Sequence, residues 1–261
     1  MSFPSKIICL TEESVETLYL LGREDLIAGV SQYVERPPEA KSKHPTVTQF
    51  IRSDIEQIVS LRPDLVIGFS DLQKDIASQL IGRGLNVFVT NQRSLSEILN
   101  NILLLGRMIG EGEKAQKLVD SFKQKLDAFK TKKLPRRPRV YFEEWDHPNY
   151  SGIQWVSELI EACGGENIFK DKSGAMARDR EVTHEEIIQR NPEIIFGCWC
   201  GKPVKLDSFE KRPGFEGVSA IQNKFVWELD PAVFLQPGPA LFVDGLDQMF
   251  EKIQKVAALD G

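Results

Sequence analysis

Apolar positions follow two patterns along this chain. In short runs they stand on successive residues: "KIICL", "LIAGV", "DLVIG", "NVFVT", "VYF", "EIIFG" and "KFVWEL". Such runs predict strands buried on both faces, as in parallel sheets. Between them apolar residues recur every three or four positions, clearly at Ile98, Ile102, Leu105 and Ile109 and again at Leu118, Phe122, Leu126 and Phe129. That spacing predicts helices with one buried face. Strands alternating with helices imply an α/β fold with a parallel-rich sheet.

The pattern occurs twice. "DIEQIVSLRPDLVIGF" (residues 54–69) aligns with "THEEIIQRNPEIIFGC" (residues 183–198), bringing Glu56 onto Glu185, Pro63 onto Pro192 and Gly68 onto Gly197. Each copy reads as an amphipathic helix, a proline stop and a strand, because proline lacks an amide hydrogen and disfavours helix just before it. A looser echo links residues 6–22 with residues 139–164, each a strand, a polar elbow, a helix and a glycine. The duplication predicts two similar Rossmann-like lobes. We place the first at residues 1–94, one long or slightly broken connecting helix at 95–133, and the second at 134–261.

Composition narrows the function classes. The 261 residues carry a net charge of -5, against a nucleic-acid surface. The basic stretch "KTKKLPRRPR" is local, and its prolines read as a linker. No apolar run approaches the roughly 20 residues that cross a membrane. The sequence opens almost directly into a strand without the pattern of a secretory signal. As written it is therefore expected in the cytoplasm, or exported if a leader has been removed. Its four cysteines lack the spacing of a redox pair or zinc knuckle and are expected to be free thiols.

In open α/β sheets ligands bind beyond the carboxyl ends of the strands. The residues after the predicted strands are thus the candidates: Glu12 and Glu13, Tyr33, Phe69, then Glu143, Glu144, Trp145 and Asp146, and finally Trp199 and Cys200. If two lobes face each other, these tips line one cleft rich in aromatics and carboxylates. That composition suits a flat or apolar ligand bearing cationic or donor groups, or one that carries a metal. In "VYFEEWDHPNYSG" (residues 140–152) the polar elbow follows three strand-forming residues, and we read it as ligand-facing. Arg178 and Arg180 divide evenly between a solvated loop and contact with an anionic part of the ligand.

Five motifs, "IICLTEESVETLYLLG", "GVSQYVERPPEAK", "IEQIVSLRPDLVIG", "ELIEACGGENIF" and "EEIIQRNPEIIFG", run in order through nearly the whole chain. Together they resemble the helical-backbone (class III) substrate-binding proteins of ABC importers, and most of all the cobalamin-binding branch. The resemblance implies a non-enzymatic, monomeric protein that needs no cofactor. It implies cobalamin or a related corrinoid or metal chelate held between two lobes, and delivery to an ABC permease. It matches Tyr33 and Phe50 to ligand-contacting aromatics, and Glu56 and Glu185 to the glutamates that engage the permease. The elbow that is usually small is here acidic, with Glu12 and Glu13.

Two other functions fit the residues. One is a divalent-metal binder using Glu143, Asp146, His147 and Cys200, a mixed-ligand set. The other is a cytosolic enzyme or chaperone acting on a corrinoid or metal complex, since fold does not fix chemistry.

Overall fold

The computed structural model describes residues 3–172, 174 and 176–259. The described chain divides into two compact α/β units, and the division does not follow the sequence simply. Unit 1 takes the chain up to Gln92, Ser96–Ser121 and the short segment Gln236–Ala240. Unit 2 takes Arg93–Leu95, Phe122–Leu235 and the chain from Leu241 on.

Unit 1 begins β1 (Ile7–Cys9), α1 (Glu12–Leu20), β2 (Ile27–Ser31), α2 (Ala40–Lys43), β3 (Thr46–Thr48), α3 (Ile55–Ser60), β4 (Leu65–Phe69), α4 (Lys74–Gly82) and β5 (Val87–Thr90). The strands form one all-parallel sheet in the order β3-β2-β1-β4-β5. Strand alternation sends Ile7 and Cys9 into a core with Val15, Leu18, Leu105 and Ile109, while Ile8 and Leu10 enter a second core with Val47, Ile58, Ile76 and Leu80. Both faces are covered, which is why these strands read as unbroken apolar runs.

The stretch expected to be one long or slightly broken connecting helix forms two helices, α5 (Leu95–Met108) and α6 (Gly112–Thr131). Gly110, at φ 81°, turns the chain between them in the left-handed conformation that glycine tolerates. Gly106 serves packing instead, since a side chain there would put its Cβ 2.2 Å from that of Ala115 on α6. The boundary between the units falls inside α6, at Ser121 and Phe122.

Unit 2 contains β6 (Arg139–Asp146), β7 (Asn149–Ser151), α7 (Gln154–Ala162), β8 (Glu166–Asn167), α8 (His184–Arg190) and β9 (Ile194–Gly197). It continues through α9 (Leu206–Glu210), α10 (Ser219–Gln222), β10 (Val226–Glu228), α11 (Pro231–Phe234) and α12 (Leu246–Ala257), the last entered through a π-helical turn at Leu241–Gly245. Strands β10, β9, β6 and β8 are parallel neighbours, and β7 runs antiparallel to β6. One core gathers Tyr141, Ile187, Ile195, Trp199, Phe209 and Phe215.

The sequence repeat is a structural repeat. Both helices of the aligned pair, α3 and α8, are capped, by the side chains of Asp54 and Thr183. Both end in a residue of positive φ just before the proline, Arg62 at 50° and Asn191 at 42°. Gly68 and Gly197 leave room at the ends of β4 and β9 for Gln73 Oε1 and for Val204, which an added Cβ would meet at 2.9 and 2.6 Å.

Candidate functional site

The strand order of unit 1 reverses between β1 and β4, and a crevice at such a switch point is where open α/β sheets take ligands. Gln73, fully buried, ties the loops there together. Its Oε1 accepts from the Phe69 amide at 2.9 Å, and its Nε2 donates to the carbonyls of Leu10 at 3.3 Å and Phe50 at 2.7 Å. Two backbones are held in sparsely populated conformations beside it, Phe50 at φ 65° and Ser70 at φ 59°, ψ 178°. Non-glycine residues in such conformations cluster at binding sites, where surrounding structure enforces them.

Tyr33 follows β2 and is half exposed, with its amide donating to Ser31 Oγ at 3.1 Å. Phe50 follows the neighbouring strand β3 and is half-buried. The structure thus brings these two expected aromatics to adjacent strand ends. Phe69 differs from expectation. It is the last residue of β4, 7 % exposed, and faces the interior because the apolar run stays in strand to its end.

Glu12 and Glu13 open α1 and are both buried, at 6 % and 3 % exposed. The side chains of Ser31 and Gln236 favour the charged form of Glu12, against the effect of burial. Glu13 accepts from Thr11 Oγ1 at 2.6 Å. Glu12 Oε1 and Glu13 Oε2 have no hydrogen-bond partner among the described residues. Burial, reinforced by the neighbouring carboxylates, raises the pKa of Glu12 and pushes that of Glu13 up to about 7. The acidic elbow is therefore a buried feature of unit 1, not an open carboxylate pair.

In unit 2 the acidic elbow is a continuation of strand. β6 runs through Glu143, Glu144, Trp145 and Asp146 and pairs with β7, Trp145 opposite Tyr150 and Asp146 opposite Asn149. Alternation then separates the carboxylates, and each has its own cation. Glu143 is fully buried in a bidentate pair with Arg212, at 2.6 and 2.8 Å. It also accepts from Tyr141, Asn149 Nδ2 and Trp199 Nε1 at 3.1, 2.9 and 3.2 Å. Glu144 pairs with buried Arg180 at 2.7 and 3.0 Å. Asp146 pairs with Lys202 at 2.5 Å.

Several expectations are corrected here. Glu143 and Glu144 serve the packing of unit 2, and Trp199, 1 % exposed, is a core residue stacked on Phe209. Trp145 remains half-buried, with its Nε1 donating to the His147 carbonyl at 3.0 Å and Lys202 Nζ lying 4.0 Å from its ring. Cys200 is exposed beyond β9. The alternative metal set does not assemble: Glu143 and Asp146 are spent on Arg212 and Lys202, and His147 lies exposed in the β6–β7 turn. Among the described residues no group of three or more His, Cys, Asp or Glu is placed to hold a metal ion.

Arg180 is a buried structural partner, whereas Arg178 is exposed. Gln73, Lys202 and Arg212 were missed in the sequence. Only Lys202 had a signal, its place just after a strand tip. Glu56 and Glu185 are exposed at the second position of α3 and α8. Glu56 is paired with Arg83. No helix among the described residues is long and apolar enough to cross a membrane.

Comparison with known proteins agrees with this architecture. The family model for periplasmic binding proteins matches residues 7–233. An uncharacterised ABC transporter substrate-binding lipoprotein of Bacillus subtilis, YvrC, is 27% identical, over 96% of this chain and 80% of its own length. The vitamin B12-binding protein of Vibrio cholerae is 28% identical, over 95% of this chain and 88% of its own. Among solved structures, a periplasmic solute-binding protein of Staphylococcus epidermidis, described as a possible iron-binding protein, superposes with a TM-score of 0.83 at 24% identity, over 97% of this chain and 99% of its own. The chain belongs to the periplasmic binding protein family, the substrate-binding proteins of ABC-type uptake.

Proposed function

We propose that this protein captures cobalamin or a related corrinoid for an ABC importer and releases it chemically unchanged. The observation that carries the reading is the pair of aromatics at adjacent strand ends of unit 1, half-exposed Tyr33 and conformationally enforced Phe50. Such side chains present large, rigid, apolar faces at low entropic cost, which suits a macrocycle. The likeness to vitamin B12-binding proteins supports the ligand class. In unit 2, half-buried Trp145 and Asp146 are the last two residues of β6, and Cys200 follows the end of the neighbouring strand β9.

The test is a titration of the purified protein with cyanocobalamin, cobinamide, haem and a ferric hydroxamate, followed by tryptophan fluorescence. Corrinoids should quench saturably at micromolar concentration or below, about 8 kcal/mol of binding. Tighter binding of haem or the hydroxamate than of either corrinoid would overturn the ligand assignment.

We propose further that Glu56 and Glu185, exposed at matching positions of the two repeats, face the permease from an extracytoplasmic location. Substituting both by alanine should abolish capture of the cognate permease while leaving ligand affinity intact. Unchanged capture would sink the docking assignment.

A further inference from the structure

One side chain holds three loops at the carboxyl end of the unit 1 sheet. Gln73 stands at the entry to α4, its own amide donating to the Ser70 carbonyl at 3.3 Å, and it is fully buried. Its side chain reaches back to the loops that follow β1, β3 and β4. Oε1 takes the Phe69 amide, and Nε2 spends both its hydrogens, on the carbonyls of Leu10 and Phe50. Gly68 makes the room, since a Cβ there would lie 2.9 Å from Gln73 Oε1.

The repeat shows that packing alone does not demand an amide in this place. Gly197 is the counterpart of Gly68 in unit 2, and its space is filled by Val204, which an added Cβ would meet at 2.6 Å. An apolar side chain is enough there. Burying an amide instead is unfavourable unless its hydrogen bonds are made, and here one of them fixes the Phe50 carbonyl at 2.7 Å. The base of the turn that carries Phe50 is closed without Gln73. Thr48 Oγ1 accepts from Ser53 Oγ at 2.7 Å and donates to the Arg52 carbonyl at 3.1 Å. Gln73 acts at the apex, where Phe50 stands at φ 65°, a conformation that a residue other than glycine keeps only under constraint.

Taking Phe50 as the ligand contact proposed above, we infer that Gln73 is the positioning residue for capture by unit 1: it locks the Phe50 backbone in its left-handed conformation before the ligand arrives. Gln73 is fully buried and so acts through Phe50. A contact group that has to be ordered on binding lowers affinity, whereas one already locked by supporting hydrogen bonds does not.

A double-mutant cycle on the full chain tests this, with cyanocobalamin as the probe and affinity read by calorimetry. Gln73→Met keeps the length of the side chain and makes none of the three bonds. It should weaken binding about tenfold, and Phe50→Ala should do the same. The double variant should bind no more weakly than Phe50→Ala alone, because the effect of Gln73 passes through that ring. Gly68→Ala, which keeps Gln73 but pushes its Oε1 aside, should reproduce the loss seen in Gln73→Met. Hydrogen exchange without ligand gives an independent readout. In Gln73→Met the amides of Ile51 and Phe69 should lose protection about tenfold, while those of Val30 and Val66, bonded to other carbonyls of unit 1, keep theirs. Additive losses in the cycle, unchanged affinity in Gln73→Met, unchanged protection at Ile51 and Phe69, or an equal loss at Val30 and Val66 would each overturn the proposal. Absence of cyanocobalamin binding in the unmodified protein would overturn the ligand assignment instead, and exchange at Ile51 and Phe69 would still decide the role of Gln73.

Discussion

The strongest energetic statement belongs to Glu143. Its carboxylate is fully buried and takes two bonds from Arg212 and one each from Tyr141, Asn149 and Trp199. Removing one partner of a buried, fully hydrogen-bonded ion pair leaves the other charge stranded, at a cost of about 3–5 kcal/mol. Glu143→Ala should therefore lower unfolding free energy by roughly 3 kcal/mol or more in urea denaturation. A loss below about 1 kcal/mol, typical of an exposed pair, would show that the network contributes little. The same residue shows where sequence reading fails. A glutamate after a strand looks like a loop carboxylate, and nothing local announces that an arginine nearly seventy positions on, Arg212, will neutralise it. Glu12 and Glu13 fail for a related reason. Their position at a strand end was legible, but the packing of Gly238, from the far end of the chain, against Glu13 was not.

Elements were more legible than residues, because periodicity is local. The strands β1, β2, β4, β5, β6, β9 and β10, the duplicated helix-proline-strand unit and the helical stretches at 95–133 follow from apolar spacing, whereas β3, β7 and β8 do not. The number of helices in the last stretch does not. Three glycines there weaken a single helix, yet they act differently: Gly110 turns the chain, Gly112 begins α6 and Gly106 admits Ala115. Only packing between the helices separates these roles. Gly106→Val should accordingly cost about 1–3 kcal/mol through overpacking, measured as a lowered denaturation midpoint. An unchanged midpoint would mean the contact between α5 and α6 is slack. In residues 140–152 strand continues where a polar elbow is expected, for another reason. Glu143 and Glu144 are poor strand formers by propensity, but pairing with β7 extends β6 through them.

For the whole molecule, the division into two α/β units with parallel-rich sheets was readable from the repeat, and the family is shown by the match of its model to residues 7–233. The grouping of Gln236–Ala240 with unit 1 was not, since five residues without periodicity carry no signal of where they pack. Nor was the division of labour among the strand ends. Unit 2 pairs its acidic tip with Arg212, Arg180 and Lys202, whereas unit 1 keeps exposed Tyr33 and a strained Phe50 at its own. Function on this account rests on those aromatics more than on the conspicuous carboxylates. The most direct test is the cyanocobalamin titration repeated calorimetrically on Tyr33→Ala beside the unmodified protein. The account predicts one saturable site in the unmodified protein and about tenfold weaker binding in the variant, near 1.4 kcal/mol, at unchanged thermal stability. Equal affinity in the two proteins, or no saturable binding in either, would contradict it.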